Sequence, residues 1–218
     1  MYSIAIDGPA GSGKSTIAKL IADKLNISYI DTGSMYRALA LKTLKLNIRL
    51  EDEKALGDML DNTDIDYEEG KIYIDGEDVS DKIRGDEVSA LASDISKNFA
   101  VREYLVHIQR EISKRRSVVM EGRDIGTVVL PHADYKFYLT ADLNIRAKRR
   151  YEQLLAKGEK TTLEEVQESI KQRDTQDMNR KNSPLKQAQD ALLVDNSHMD
   201  LNQTLEYILN TIRGKNAL

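Results

Sequence analysis

Cysteine is absent from this 218-residue chain, proline occurs only 3 times, and no apolar run approaches the length of a membrane span. The missing thiols exclude disulfides and cysteine-held metal sites, as expected for a reducing compartment. A bilayer span takes about 20 apolar residues, so none is expected here. The first residues enter a strand pattern directly, and no signal peptide is expected ahead of it. The expected location is therefore the cytoplasm. A surplus of positive charge is missing as well, since 32 Lys and Arg face 36 Asp and Glu for a net charge of −4. Nucleic-acid binding rests on neutralising many phosphates, so a general nucleic-acid surface is excluded and any basic site has to be local. No repeat, heptad array or long apolar seam is visible, which leads us to expect a monomer. His107, His132 and His198 each stand without a second histidine at ligand spacing, so they read as structural or surface residues.

What is present is a helix-rich globular composition, 40% hydrophobic and 31% charged, sized for one sizeable core with small insertions. We expect a single domain over residues 1–218. Near its start, a short apolar strand pattern over 2–6 runs into Gly8-Pro9-Ala10-Gly11-Ser12-Gly13-Lys14-Ser15-Thr16, and a helical pattern follows from Lys14. Gly-x-x-x-x-Gly-Lys-Ser between strand and helix is the pattern of a phosphate-binding loop. Its glycines let backbone N–H groups curl toward phosphate oxygens, and the helix adds its positive dipole end. Lys14 would reach the β- and γ-phosphates of a nucleotide and Ser15 would ligate Mg²⁺. The bland alternative, a glycine-rich turn with an incidental lysine, does not account for the whole pattern in this setting.

Further along, a helix is expected over 14–25, a strand over 28–30, and a second helix after the capping residues Asp31-Thr32-Gly33-Ser34. Ligands of open α/β sheets bind beyond the carboxyl ends of the strands. Thr32 and Arg37 fall there, although an arginine at that point could be a solvated helix residue. Over 64–79, Ile65, Tyr67, Ile72, Ile74 and Val79 alternate around Glu69-Gly70 and Asp75-Gly76, which predicts a small antiparallel hairpin or meander inserted into the α/β pattern. Helices over 84–99 and 101–115 come next. A buried strand over 117–120 leads into Glu121-Gly122-Arg123-Asp124-Ile125-Gly126-Thr127, whose adjacent acidic and basic groups mark a site candidate. After a strand over 135–139, a helix over 142–157 carries Arg146, Arg149 and Arg150. Gly158 breaks it, and Thr162 with Glu165 offers a capping box for the next helix. On that helix Arg173, Asp177 and Arg180 share one face. Such a pair of arginine-bearing helices could close over phosphates as a lid; alternatively it is a solvated, salt-bridged hairpin, a reading that suits Arg146 and Arg149. A last strand over 191–194 and a helix over 201–212 complete the pattern.

The Asp-x-x-Gly and Asn-Lys-x-Asp elements of switch GTPases are not found. Instead Ile-Asp-Gly-Pro-Ala-Gly-Ser-Gly-Lys-Ser-Thr, Asp31-Thr-Gly-Ser-Met-Tyr-Arg37-Ala, Glu121-Gly-Arg-Asp-Ile-Gly-Thr-Val-Val and Arg173-Asp-x-x-Asp177-x-x-Arg180 occur in that order. This combination resembles the bacterial cytidylate kinases over essentially the whole chain, with Glu121 where that family usually has aspartate. The resemblance implies an α/β fold with a five-stranded parallel sheet flanked by helices, a monophosphate-binding insertion near 62–100 and a short helical lid near 146–176. It also implies ATP as phosphoryl donor, Mg²⁺ as cofactor and CMP or dCMP as acceptor. By the same resemblance Ser93 and Arg102 help hold the base and Asp124 accepts from its N4 amino group. Asp177, with Arg173, binds the sugar hydroxyls. Thr32, Arg37, Arg123 and Arg180 surround the acceptor phosphate, while Lys14, Arg123, Arg150 and Arg173 neutralise charge during transfer. A kinase for another nucleoside monophosphate and a regulatory module that binds ATP without transfer remain as alternatives.

Overall fold

The structure, a computed structural model, describes residues 1–68 and 70–216. In chain order its elements are β1 (Ser3–Asp7), α1 (Lys14–Leu25), β2 (Ser28–Asp31), α2 (Thr32–Lys45), α3 (Glu53–Asp61), β3 (Ile65–Glu68), β4 (Lys71–Ile74), β5 (Glu77–Asp78), α4 (Asp86–Ile95), α5 (Phe99–Arg115), β6 (Val118–Gly122), β7 (Tyr135–Thr140), α6 (Leu143–Ala156), α7 (Leu163–Met178), β8 (Leu192–Asp195) and α8 (Leu201–Asn216). A five-stranded parallel sheet has the order β2-β6-β1-β7-β8, and β3-β4-β5 form a separate antiparallel sheet. Among the described residues no helix is long and apolar enough to cross a membrane.

The chain divides into two compact units, Tyr2–Ile27 with Val119–Leu218 and Ser28–Val118 with Met1. In the first, Ile4, Ala5 and Ile6 of β1 and Val119 and Met120 of β6 are all buried. Such unbroken apolar runs, without alternation, belong to parallel strands covered on both faces. Helix α1 packs on β1 and on α8, turning Ile17, Ala18 and Ile21 inward at helical spacing. Helices α6 and α7 form a hairpin whose small core is Ala147, Val166 and Ile170. Its turn rests on local chemistry. Gly158 at φ 79° donates to Leu155 and Glu159 donates to Leu154, closing α6 in a Schellman motif, and Thr162 and Glu165 exchange the reciprocal bonds of a capping box at the start of α7.

In the second unit the expected hairpin is a three-stranded meander. Its register pairs Ile65 with Ile74 and Tyr67 with Ile72, which puts the buried residues of β3 and β4 on one face. Asp75 and Gly76, both at positive φ, make its second turn; of the first expected turn, Gly70 is at φ 77° and Glu69 lies outside the described residues. Helix α2 packs on α4, α5 and β4. One boundary and one element differ from the sequence pattern. Residues 84–99 are not one helix, because Asn98 caps α5 by accepting from Val101 N and so moves Phe99 into the later helix. Helix α3, capped by Asp52, is an element the pattern did not predict.

Candidate active site

The phosphate loop leaves β1 through Gly8, where a Cβ would lie 2.0 Å from the backbone oxygen of Leu139, so only glycine lets β1 run this close to β7. Gly11 and Gly13 stand at φ 74° and 90°. Gly13 begins α1 without a side-chain cap, which keeps the helix N-terminus available to an anion. Lys14 is buried, and its ammonium donates to Pro9 O at 2.7 Å and Ser12 Oγ at 3.3 Å, across the mouth of the loop. Burial, then the charges of Arg123 and Arg173, lower its pKa to about 7 against the opposing pull of Glu121 and Asp7. Ser15 Oγ donates to Glu121 Oε1 at 2.5 Å, bringing hydroxyl and carboxylate oxygens together beside the loop.

Asp7, at the end of β1, is buried and accepts from the backbone N–H groups of Ile125 at 2.8 Å and Gly126 at 2.7 Å. These bonds fasten the π-helical turn Ile125–Val129, and with it Asp124, to the start of the phosphate loop. Burial pushes the Asp7 carboxyl up to about 6, more than its two backbone hydrogen bonds pull it down.

Arg123 extends from β6 and donates Nε–H to Asp177 Oδ2 at 2.7 Å. Arg180 Nη1 lies 3.7 Å from Asp177 Oδ1, so one buried carboxylate of α7 holds two guanidinium groups. That carboxylate keeps the Arg123 guanidinium above its ordinary pKa although burial opposes it. Asp177 thus keeps two guanidinium groups, the side chain suited to bidentate contacts with phosphate, side by side. Asp124 is buried, whereas Arg150 and Arg173 are exposed on α6 and α7.

The remaining sequence candidates belong to the second unit. Thr32 is buried at the first position of α2, after Asp31, which caps the helix at Ser34 N. Asp31 also pairs with Arg37 at 2.7 Å, nearly two turns along. Arg102 is buried, donates to Ser96 O at 3.2 Å, and has its guanidinium 5.6 Å from the centre of the Tyr36 ring. The carbonyl of Ser93 accepts from Ser96 Oγ, on the same turn that receives Arg102.

A family model described as cytidylate kinase matches residues 4–214. The chain belongs to the cytidylate kinase family. A cytidylate kinase of Caldanaerobacter subterraneus is 50% identical over 96% of this chain and 94% of its own length. One from Clostridioides difficile is 48% identical over 96% of this chain and 97% of its own. Among solved structures, a shikimate kinase from Bacteroides thetaiotaomicron superposes with a TM-score of 0.51 at 15% identity, over 100% of this chain and 99% of its own, a likeness of fold alone.

The structure thus gathers the phosphate loop, Arg123, Asp124, Asp177 and Arg180 at the carboxyl ends of β1 and β6 and at the end of α7, within one unit; α7 stops at Met178, so Arg180 lies just beyond the helix it was expected to share with Arg173 and Asp177. Three features escaped sequence reasoning. Asp7 belonged to the quoted loop stretch but carried no role. Asn196, whose Nδ2 donates to Ser12 O in the phosphate loop, carried no signal, since that partner lies far away in the chain. Arg146, read as one of the solvated arginines, is buried against Asp174.

Proposed function

We propose that this protein transfers the γ-phosphoryl group of ATP to CMP or dCMP, giving ADP and CDP or dCDP. The observation that carries this reading is the clamp of Arg123 and Arg180 on Asp177 in the unit that holds the phosphate loop. Donor and acceptor phosphates need separate cationic holders, and membership in the cytidylate kinase family supports the acceptor. Lys14 and the N-terminus of α1 hold the donor phosphates. The oxygens of Ser15 and Glu121 suit a hard cation that keeps most of its water, so they fit Mg²⁺. The ion, when bound, neutralises charge on the donor phosphates. The acceptor phosphate has a second pKa of about 6; it is ionised at neutral pH and needs no general base. The chain's task is to position two anions and screen their repulsion, through Lys14, Arg123, Arg150 and Arg173.

For the acceptor we assign Thr32, Arg37, Arg123 and Arg180 to the phosphate, Asp177 and Arg173 to the sugar, and Ser93, Arg102 and Asp124 to the base. Cytosine presents an amino donor to Asp124 where uracil presents a carbonyl, so uracil would set an oxygen acceptor against that buried carboxylate. Residues 62–100 form the acceptor insertion and 146–176 the lid in this reading, the lid's base held at the Arg146–Asp174 pair and its tip at Gly158, and the protein acts as a cytoplasmic monomer without nucleic acid. An ADP-release assay with MgATP against AMP, CMP, dCMP, UMP, dTMP and GMP tests it. CMP and dCMP standing above the others is the expected result; another preferred acceptor refutes the base assignment, and no turnover with any refutes the kinase reading.

A further inference from the structure

The peptide unit is planar and trans, so its C=O and N–H point in opposite directions. Whatever grips a carbonyl of the phosphate loop from outside therefore aims the next residue's N–H the other way. Arg146 Nη1 donates to Ala10 O at 2.8 Å, which fixes the direction of the Gly11 N–H. Asn196 Nδ2 donates to Ser12 O at 3.1 Å, which fixes that of Gly13. At the Pro9–Ala10 peptide the sense is reversed. Asp174 Oδ1 accepts from Ala10 N at 2.8 Å, and so turns Pro9 O toward Lys14 Nζ.

These groups are themselves held. Arg146 and Asp174 are buried and pair at 2.5 Å, and Arg146 Nε donates to Ala141 O. Asn196 is buried just beyond β8, where its backbone N donates to Thr140 O, while its Oδ1 and O accept from Arg149 Nη1 and Nη2 at 3.0 and 2.9 Å. Gly11 is tied to the same arrangement, since a Cβ there would come 3.3 Å from Arg146 Cβ. Ala10 also packs against the apolar core of the α6–α7 hairpin.

We infer that the α6–α7 hairpin is the frame of the phosphate loop, with Arg146 and Asp174 acting directly and Arg149 acting through Asn196 as positioning residues that set affinity for the nucleotide triphosphate. The inference rests on the donor-site reading above. It also replaces the reading of Arg146 and Arg149 as surface arginines. Both emerge from one side of α6, and each controls one peptide of the loop.

Asp174→Asn and Asn196→Ala in the full chain test it, by equilibrium titration with ATP in the absence of acceptor and by steady-state kinetics with CMP. Each variant should bind ATP about tenfold or more weakly, the scale of losing a buried hydrogen bond to a charged or rigid group. The KM for ATP should rise in parallel while that for CMP stays within about threefold. Asn196→Ala creates no buried unpaired charge, so it keeps the test open if Asp174→Asn folds poorly. ATP affinity within about twofold of wild type in Asn196→Ala, or KM values for ATP and CMP that rise together, would overturn the inference. Failure of the wild-type protein to bind ATP would instead overturn the donor-site reading on which it stands.

Discussion

Lys14 makes a quantitative prediction, because its ammonium is buried and flanked by Arg123 and Arg173, so its pKa stands at about 7. A bound triphosphate supplies negative charge beside it and restores the protonated form. ATP binding above pH 7 must then take up a proton. With a free-state pKa of 7, about 0.9 of the lysines are neutral at pH 8 and about 0.1 at pH 6. Affinity should therefore fall about tenfold from pH 6 to pH 8, or about 1.4 kcal/mol, and by about another tenfold per unit above that. The sign follows from linkage: the bound state holds the extra proton, so raising the pH opposes binding. Isothermal titration at pH 8 in two buffers of different ionisation enthalpy measures the uptake, expected at about 0.9 protons per ATP. Lys14→Met should abolish it, which separates this lysine from other groups. Zero uptake at pH 8 with affinity flat between pH 6.5 and 8.5 would refute the argument, since a normal lysine stays fully protonated over that range.

Three further outcomes are expected. Lys14→Ala should lose about 10³-fold in turnover while keeping its thermal transition, because it removes a charge buried at a cost; near-normal turnover in an ADP-release assay contradicts the donor assignment. Asp124→Ala should raise the KM for CMP about tenfold or more and leave that for ATP within a few-fold, and an equal rise in both shows that the acceptor base lies elsewhere. Gly8→Ala should lose about 3 kcal/mol or more of stability, seen as a lowered midpoint in urea, because its Cβ would fall 2.0 Å from Leu139 O; an unchanged midpoint means the β1–β7 approach is looser than described.

Much of this molecule was legible because its signals are local. The loop glycines, the Gly158 break and the Thr162–Glu165 box each act within a few residues, so spacing alone exposes them. The meander was legible for the same reason, through alternation and its turn residues. Apolar periodicity misplaced the boundary near 84–99, since it cannot see a cap; Asn98 was the signal available, as Asp52 was for α3. Arg146 was illegible in a stronger sense. Spacing reports which residues share a helix face, but its carboxylate lies on another helix and both partners meet Ala10, a contact spanning 164 residues for Asp174. Asn196 and Asp7 are hidden in the same way, since a lone polar residue at a strand end looks alike whether it caps a turn in place or grips a distant peptide.

The two shifted groups of the site depend on pH in opposite senses, and burial disfavours the charged form of both. Asp7, held at about 6 in the folded chain against an ordinary 3.8, binds more protons when folded, so its contribution to stability falls as the pH rises between those values. Lys14, at about 7 against 10.5, binds fewer protons when folded, so its contribution falls as the pH drops toward 7. At neutral pH the fold therefore keeps a largely charged Asp7 and a half-charged Lys14 against the preference of both. The hydrogen bonds from Ile125 and Gly126 offset part of the cost for the aspartate, but the lysine has only a carbonyl and a hydroxyl, neither of them ionic. An anion is what Lys14 lacks, and the open N-terminus of α1 lacks the same thing. Binding a triphosphate thus relieves two unfavourable features of the ligand-free fold at once, and the framing of the loop by the α6–α7 hairpin keeps both aimed at one place.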